Sequence, residues 1–237
     1  MLITTRAIVL RAVRHGDRSV VLKLYTEHHG LRGYLVRMGG KSGIAPALLQ
    51  PLQRLAVVAH ERGDRELHYL KEARPDRPFV NVGSDPIRGS LVLFLQEVLL
   101  RTLREETNDP ALFAYLYAAL DLVDDAPDPG HFPLTILAGL SHHFGFAPEQ
   151  PEGQAKWFDL QNGVFTDHEP AHPHAFGGAL VPVFARLFQQ RSAPAPALRL
   201  APAVRKELLG KMLHYYRLHV AGFGELRSPA VLQAVMG

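Results

Sequence analysis

Between Ile3 and Arg74 the chain carries five short runs rich in Val, Leu and Tyr: Ile3–Val13, Ser19–Thr26, Leu31–Met38, Leu55–His60 and Glu66–Lys71. Turn chemistry separates them, in His15-Gly16-Asp17, His28-His29-Gly30, Gly39-Gly40-Lys41-Ser42-Gly43 and Arg62-Gly63-Asp64. Runs of this length and composition, bounded by glycine and aspartate, predict β-strands. The segment Ile44-Ala45-Pro46-Ala47-Leu48-Leu49 predicts one or two helical turns between the third and fourth strands. Five strands with a small helix in that place is the element order of an OB-fold barrel, which takes oligonucleotides on the face of its second and third strands.

The charge of the same region points to such a ligand. The first 41 residues hold eight basic side chains (Arg6, Arg11, Arg14, Arg18, Lys23, Arg32, Arg37, Lys41) against two acidic ones, Asp17 and Glu27. Alternation places Ser19, Val21, Lys23 and Tyr25 on one side of the second run, with Val20, Leu22 and Leu24 in the barrel. In the third run Leu31, Gly33 and Leu35 alternate against Arg32, Tyr34 and Val36. The His28-His29-Gly30 turn is expected to bring Lys23-Leu24-Tyr25 and Arg32-Gly33-Tyr34 to one side of a hairpin. Basic residues would neutralise phosphates there, and Tyr25 or Tyr34 would stack a base. The competing reading makes both tyrosines ordinary strand residues packed on a neighbouring domain.

At 237 residues, 47% hydrophobic, with mean hydropathy −0.02, the chain is long enough for one large or two small domains with real cores. There is no apolar run long enough for a transmembrane helix and no signal-peptide layout at Met1-Leu2-Ile3. With 0 cysteines there is no disulfide framework, thiolate metal site or Cys nucleophile, and a cytoplasmic location fits. The net charge of +3 is unevenly spread. Residues 1–80 have 14 basic and 7 acidic side chains, residues 81–170 have 4 and 14, and residues 171–237 have 8 and 2. A basic head, an acidic middle and a basic tail suit a polyanionic partner, or salt bridging between the segments.

Past Pro75-Asp76-Arg77-Pro78 the character changes, so that 1–78 and 79–237 are read as two domains. Asp85-Pro86 predicts an N-cap with proline at the first helical position, opening a helix from Ile87 to about Glu106 with Leu91, Phe94, Leu95, Val98 and Leu99 on one stripe. Asn108-Asp109-Pro110 repeats the signal for Ala111–Val123, and a third helix is expected over Phe132–Phe144. A hairpin is expected within about 155–167, Trp157–Leu160 and Val164–Thr166 flanking an Asn162-Gly163 turn. His174–Gln190, Ala203–Ala221 and Ala230–Met236 read as further helices. The fold class is therefore α+β, a five-stranded barrel followed by a helical domain with an inserted hairpin.

No catalytic constellation emerges. The 13 histidines include His168, His172 and His174, but Pro170 and Pro173 put them on a loop, and adjacent His142 and His143 diverge on a helix. Gly40-Lys41-Ser42 lacks the upstream glycine of a phosphate-binding loop, since Leu35 holds that place. Glu105-Glu106 and Asp124-Asp125 sit at helix ends. A binding protein is favoured over an enzyme; the alternatives are a protein-binding adaptor with an OB-like barrel and, last, a histidine-ligated metalloenzyme.

At the level of motifs the chain resembles the RecO family of bacterial recombination mediators. The resemblance rests on Thr5-Arg6-Ala7-Ile8-Val9-Leu10, Gly16-Asp17-Arg18-Ser19 and Tyr25-Thr26-Glu27-x-x-Gly30 in the first two strands. It continues through Gln50-Pro51-Leu52, Leu67-His68-Tyr69-Leu70-Lys71-Glu72, Leu95-x-Glu97-Val98-Leu99 and Asp109-Pro110-x-Leu112-Phe113. It implies a nucleoid-associated protein of the RecF pathway that binds single- and double-stranded DNA without sequence preference. Such a protein anneals complementary strands and, with RecR, displaces the single-strand-binding protein SSB so that RecA can load. Carried onto this chain, DNA binding falls to the basic barrel face of Arg6, Arg11, Arg14, Lys23, Arg32, Arg37 and Lys41, Arg6 by its match to the family's first strand and the others by charge and alternation; Tyr25 and Tyr34 join this DNA-binding set as the candidate stacking residues. The resemblance also implies a helical-domain pocket for the acidic SSB tail, with Arg186, Arg191, Arg205, Lys206 or Lys211 as candidate cations. Many relatives bind zinc through four cysteines after the third core helix. Here that stretch, about Pro148–Pro173, has none, so zinc is not expected and Trp157, Phe158 and Phe165 must hold the region by packing.

Overall fold

The computed structural model describes residues 1–38, 44–61, 67–104, 108–151, 153–189 and 200–236. The strands are β1 (Leu2–Arg14), β2 (Ser19–Thr26), β3 (Gly30–Arg37), β4 (Arg54–His60) and β5 (Leu67–Pro75), closed into a barrel in the order β1-β2-β3-β5-β4. All pairs are antiparallel except β3 with β5. A 3₁₀ turn, Pro46–Leu49, lies between β3 and β4. The element order expected of an OB fold is the one observed.

Inward positions alternate along each strand. Val20, Leu22 and Leu24 of β2 meet Tyr34 and Val36 of β3, Leu55, Val57 and Ala59 of β4, and Leu70 of β5, while Leu48 and Leu49 pack against this core. β1 is long enough to serve two partners, pairing through Leu2–Ile8 with β4 and through Ala7–Arg14 with β2. Between Val9 and Arg11 its register shifts, a β-bulge that inserts Leu10. A tight turn secures this point: Leu52 N–H donates to the Val9 carbonyl at 2.8 Å and Val9 N–H to Gln53 at 3.0 Å. Leu52 adopts φ +56°, strained for a non-glycine residue. Its side chain is fully buried between the barrel and the helices.

The helical half comprises α1 (Pro86–Thr102), α2 (Pro110–Asp125), α3 (Phe132–His143), α4 (Leu180–Leu187), α5 (Pro202–His219) and α6 (Ser228–Met236). Both proline-led starts are capped as the sequence indicates: Asp85 accepts from the N–H of Ile87 and Arg88, and Asp109 from that of Leu112. Glu97 of α1 receives N–H groups of Arg227 and Ser228 and the Ser228 hydroxyl at 2.6 Å, tying α6 to α1.

The inserted module has three strands, not two: β6 (Trp157–Asp159), β7 (Val164–Thr166) and β8 (Ala175–Gly177), in the order β7-β6-β8. The single helix expected over 174–190 is corrected to β8 followed by α4. Gly178, at φ +81°, turns the chain out of β8, and its N–H donates to Lys156 carbonyl. Phe176 gains more as a strand residue, burying against Phe158 at 5.8 Å. Phe158 also meets Phe165 at 4.6 Å, Phe184 at 4.8 Å and Tyr215 at 5.5 Å. Packing of this kind holds a region that carries no cysteine.

The acidic middle meets the basic head at the junction of the two halves. Arg54 of β4 is 1% exposed, ion-paired to Asp121 of α2, and stacked on Phe79 and Tyr117. Arg77 joins Asp121 from the other side at 2.8 Å, and Arg54 Nε donates to Arg77 carbonyl. One turn on, Asp124 accepts the N–H groups of Val80, Asn81 and Val82 at 2.8–3.0 Å. Burial alone would raise its pKa; these three donors outweigh it and hold the carboxyl below its usual range. The connecting segment is thus fastened at both ends rather than strung between two domains.

Candidate nucleic-acid interface

Partners in an antiparallel ladder share a face, so the register decides which candidate side chains meet. Lys23 pairs with Gly33 and Tyr25 with Leu31, whereas Leu24 pairs with Arg32 and Leu22 with Tyr34. The two basic-x-Tyr units therefore lie on opposite faces of the hairpin. Arg32 and Tyr34 face into the barrel, correcting the expectation that they join Lys23. The Tyr34 ring is fully buried against His68, and its hydroxyl donates to Glu61 at 2.5 Å. Burial, with the Glu61 bond, raises the Tyr34 pKa.

Tyr25 does point outward, but that part of the outer face is covered. Ile8, Leu10, Tyr25 and Leu31 belong to the core shared with the helices. Tyr25 is 1% exposed, packs on Phe113 and donates to Asp109 carbonyl, so neither tyrosine offers a face to a base. Arg6 serves the same junction. It is bonded to Glu27 through Nε at 2.8 Å and lies over the Tyr117 ring at 5.0 Å. The Arg6 bond holds the Glu27 carboxyl below its usual range, and Arg6 is correspondingly harder to deprotonate.

What remains open is the part of the outer face beyond the Leu10 bulge. Arg11 stands directly opposite Lys23, which pairs with Gly33, which pairs with Leu67. The next row on this face is Val13, Val21, Leu35 and Tyr69, and the one after it Ser19 and Arg37. An apolar row thus lies between two basic rows, none of whose members is acidic. Arg14 pairs with Val20 on the other side of the β1–β2 hairpin, near the tip that carries Arg18. Of the candidates, Arg11, Lys23 and Arg37 come together; Arg14 flanks them; Arg6, Tyr25, Arg32 and Tyr34 do not join. Lys41 lies outside the described residues. Sequence reasoning passed over Tyr69, and Leu67-His68-Tyr69-Leu70 carries no local signal for it, since the alternation that exposes the ring belongs to the folded strand.

His172, His174 and His214 pack ring to ring, with His172 and His174 at 6.1 Å, without converging on a common point. His172 Nε2 is 3.2 Å from Asp159, which also accepts from Gln161 and Asn162, while the His174 ring lies edge-on to His214 at 5.2 Å. His168 is exposed beside Asp167. Among the described residues no group of three or more His, Asp or Glu can hold a metal ion, so the donor set does not fit zinc. Nor is any helix among them long and apolar enough to cross a membrane.

The family described as Recombination protein O N terminal matches residues 1–79, and Recombination protein O C terminal matches residues 83–229. The chain belongs to the RecO family. The DNA repair protein RecO of Bacteroides fragilis is 32% identical over 241 residues, covering 98% of each chain. That of Porphyromonas gingivalis is 30% identical over 247 residues, covering 99% of each, and that of Christiangramia forsetii 29% over 240, covering 100% of each. In this RecO-family chain the N-terminal match spans the OB-fold barrel and its open basic face, and the C-terminal match spans the helices that cover the rest of that face.

A second concavity lies in the helical half. A groove of about 720 Å³ between the small sheet and α4 is walled by Pro151, Ala155, Trp157, Val181 and Pro182, with Lys156 at its side. None of Arg186, Arg205, Lys206 and Lys211 lines it, and Arg191 lies outside the described residues.

Proposed function

We propose that the face carrying Arg11, Lys23 and Arg37 binds single- and double-stranded DNA through its backbone, and that the protein anneals complementary strands during repair. With RecR it helps replace SSB by RecA. The observation that carries this reading is the ladder row that sets Arg11 directly opposite Lys23, with Arg37 two rows further along the same face. A phosphate chain running across the rows would be drawn to these cations and release its counterions. The strand 2–3 face is also where OB folds take oligonucleotides.

The SSB tail brings carboxylates and a terminal phenylalanine, so its site needs apolar walls and a cation. We assign it to the groove beside Lys156 and Trp157, whose lining has that chemistry. An adaptor binding only protein through the barrel is the rival reading, and annealing separates the two. Complementary oligonucleotides, bare or coated with SSB, should anneal faster with the protein than without it, and Arg11→Glu with Lys23→Glu should abolish the gain. No acceleration in either condition would sink the mediator reading.

A further inference from the structure

Of the 12 Phe, 7 Tyr and 1 Trp in the chain, all of them among the described residues, only Tyr69 is exposed; the others are buried or half-buried. Its 39% exposure is not that of a frayed end. It sits inside β5, between buried His68 and Leu70, with no ring or side-chain hydrogen-bond partner among the described residues. Tyr69 is opposite Leu35 across the parallel β3–β5 pairing, and Leu35 is opposite Val21, which is opposite Val13. The apolar row therefore reaches an exposed aromatic ring, flanked on its far side by exposed His60 of β4, with Arg11 and Lys23 in the row on one side and Arg37 in the row on the other.

Rows on one face of a strand are about 7 Å apart and neighbouring strands about 4.8 Å apart. Lys23 and Tyr69 are two strands and one row apart, a span on the order of 10 Å, which suits one or two nucleotides of an extended chain. A phosphate chain following the cations would bring its bases over the apolar row, towards the ring. We propose that Tyr69 is the base-stacking platform of this face, so that the protein prefers unpaired strands through this ring. The inference rests on the nucleic-acid reading above and adds the group that tells a single strand from a duplex. In a duplex the base faces are already stacked, so only the cations can contribute. Tyr25 and Tyr34 are both spent on packing, which leaves this ring to meet a base.

The test is fluorescence anisotropy at low salt with three probes of equal phosphate count: oligo-dT, an abasic oligonucleotide and a duplex. Base–aromatic stacking worth roughly 1–3 kcal/mol predicts that Tyr69→Ala weakens oligo-dT binding about 5- to 150-fold. Binding of the abasic probe and the duplex should stay within about twofold, while Tyr69→Phe, which keeps the ring, should bind oligo-dT nearly as the parent does. Equal oligo-dT affinity in Tyr69→Ala and the parent would overturn the assignment. So would an equal loss on the abasic probe, because that loss would come from the backbone contacts or the barrel. If the parent protein binds none of the three, the nucleic-acid reading itself fails; if it binds all three with the expected salt dependence, only the Tyr69 assignment is at stake.

Discussion

Removing the charge of Arg11 and Lys23 together gives the most direct measure of what the open barrel face does. Each cation that neutralises a phosphate of a single strand contributes about 0.7 to the fall of log K with log salt. With Arg11, Lys23 and Arg37 engaged, the face contributes a slope of about −2.1, so affinity for oligo-dT drops about 18-fold between 50 and 200 mM salt. Arg11→Gln with Lys23→Gln leaves Arg37 alone, a slope of about −0.7 and a drop of about 2.6-fold over the same range. Contacts from Arg14 and Arg18 at the hairpin tip would steepen both slopes equally and leave the difference of about 1.4 intact. Anisotropy titrations at four or five salt concentrations measure it. Arg32→Gln is the control, because Arg32 pairs with Leu24 and faces inward. A slope that the double variant leaves unchanged, or one that Arg32→Gln flattens as much, would refute the face assignment.

Two further outcomes follow from groups away from the face. Asp124, Glu97 and Asp159 are all held below the usual carboxylate range, so their contribution is complete above the unfolded-state pKa of about 4 and is lost as pH falls through the folded-state value. Asp124→Asn should cost about 2 kcal/mol at pH 7 in a urea melt, and the gap to the parent should narrow as pH falls below about 4 and through the lowered folded-state value; parallel profiles would show that the linker clamp is not ionic. Trp157, the single tryptophan, lines the helical-domain groove. An acidic peptide ending in Phe should therefore change its fluorescence, with affinity reduced at least tenfold in Lys156→Glu; a response that Lys156→Glu leaves intact would place the peptide elsewhere.

The barrel was legible because five runs with glycine-centred joints leave few other topologies, and the helix starts because Asp85-Pro86 and Asp109-Pro110 each place a capping carboxylate before a proline at the first helical position. The phase of β3 was not legible. Leu31 and Leu35 look as much like an inward set as Tyr34 and Val36 do, because the helices make part of the barrel's outer face apolar too. Alternation within a strand cannot tell two cores apart; the pairing of Thr26 with Gly30 settles it, and pairing is a tertiary fact. For Tyr25 the orientation was read correctly, and of the two readings open for it the structure bears out packing on the neighbouring helices, where Phe113 lies above it. The strand β8 was hidden for a similar reason: three residues have no periodicity of their own and become a strand only beside β6.

The bulge at Leu10 makes the polarity of β1 a matter of counting. Up to Val9 the strand keeps one phase, with Ala7 and Val9 inside and Ile8 under the helices; after one inserted residue, Arg11 faces outward opposite Lys23. Were Leu10 paired regularly with Lys23 instead of bulging, Arg11 would fall opposite Leu22 on the inward side, reversing the parity of everything up to the hairpin tip. The charge map of this surface is thus written less in which residues the strand contains than in where its reading frame slips. Straightening the bulge would leave composition and net hydropathy untouched while turning a ligand face inside out.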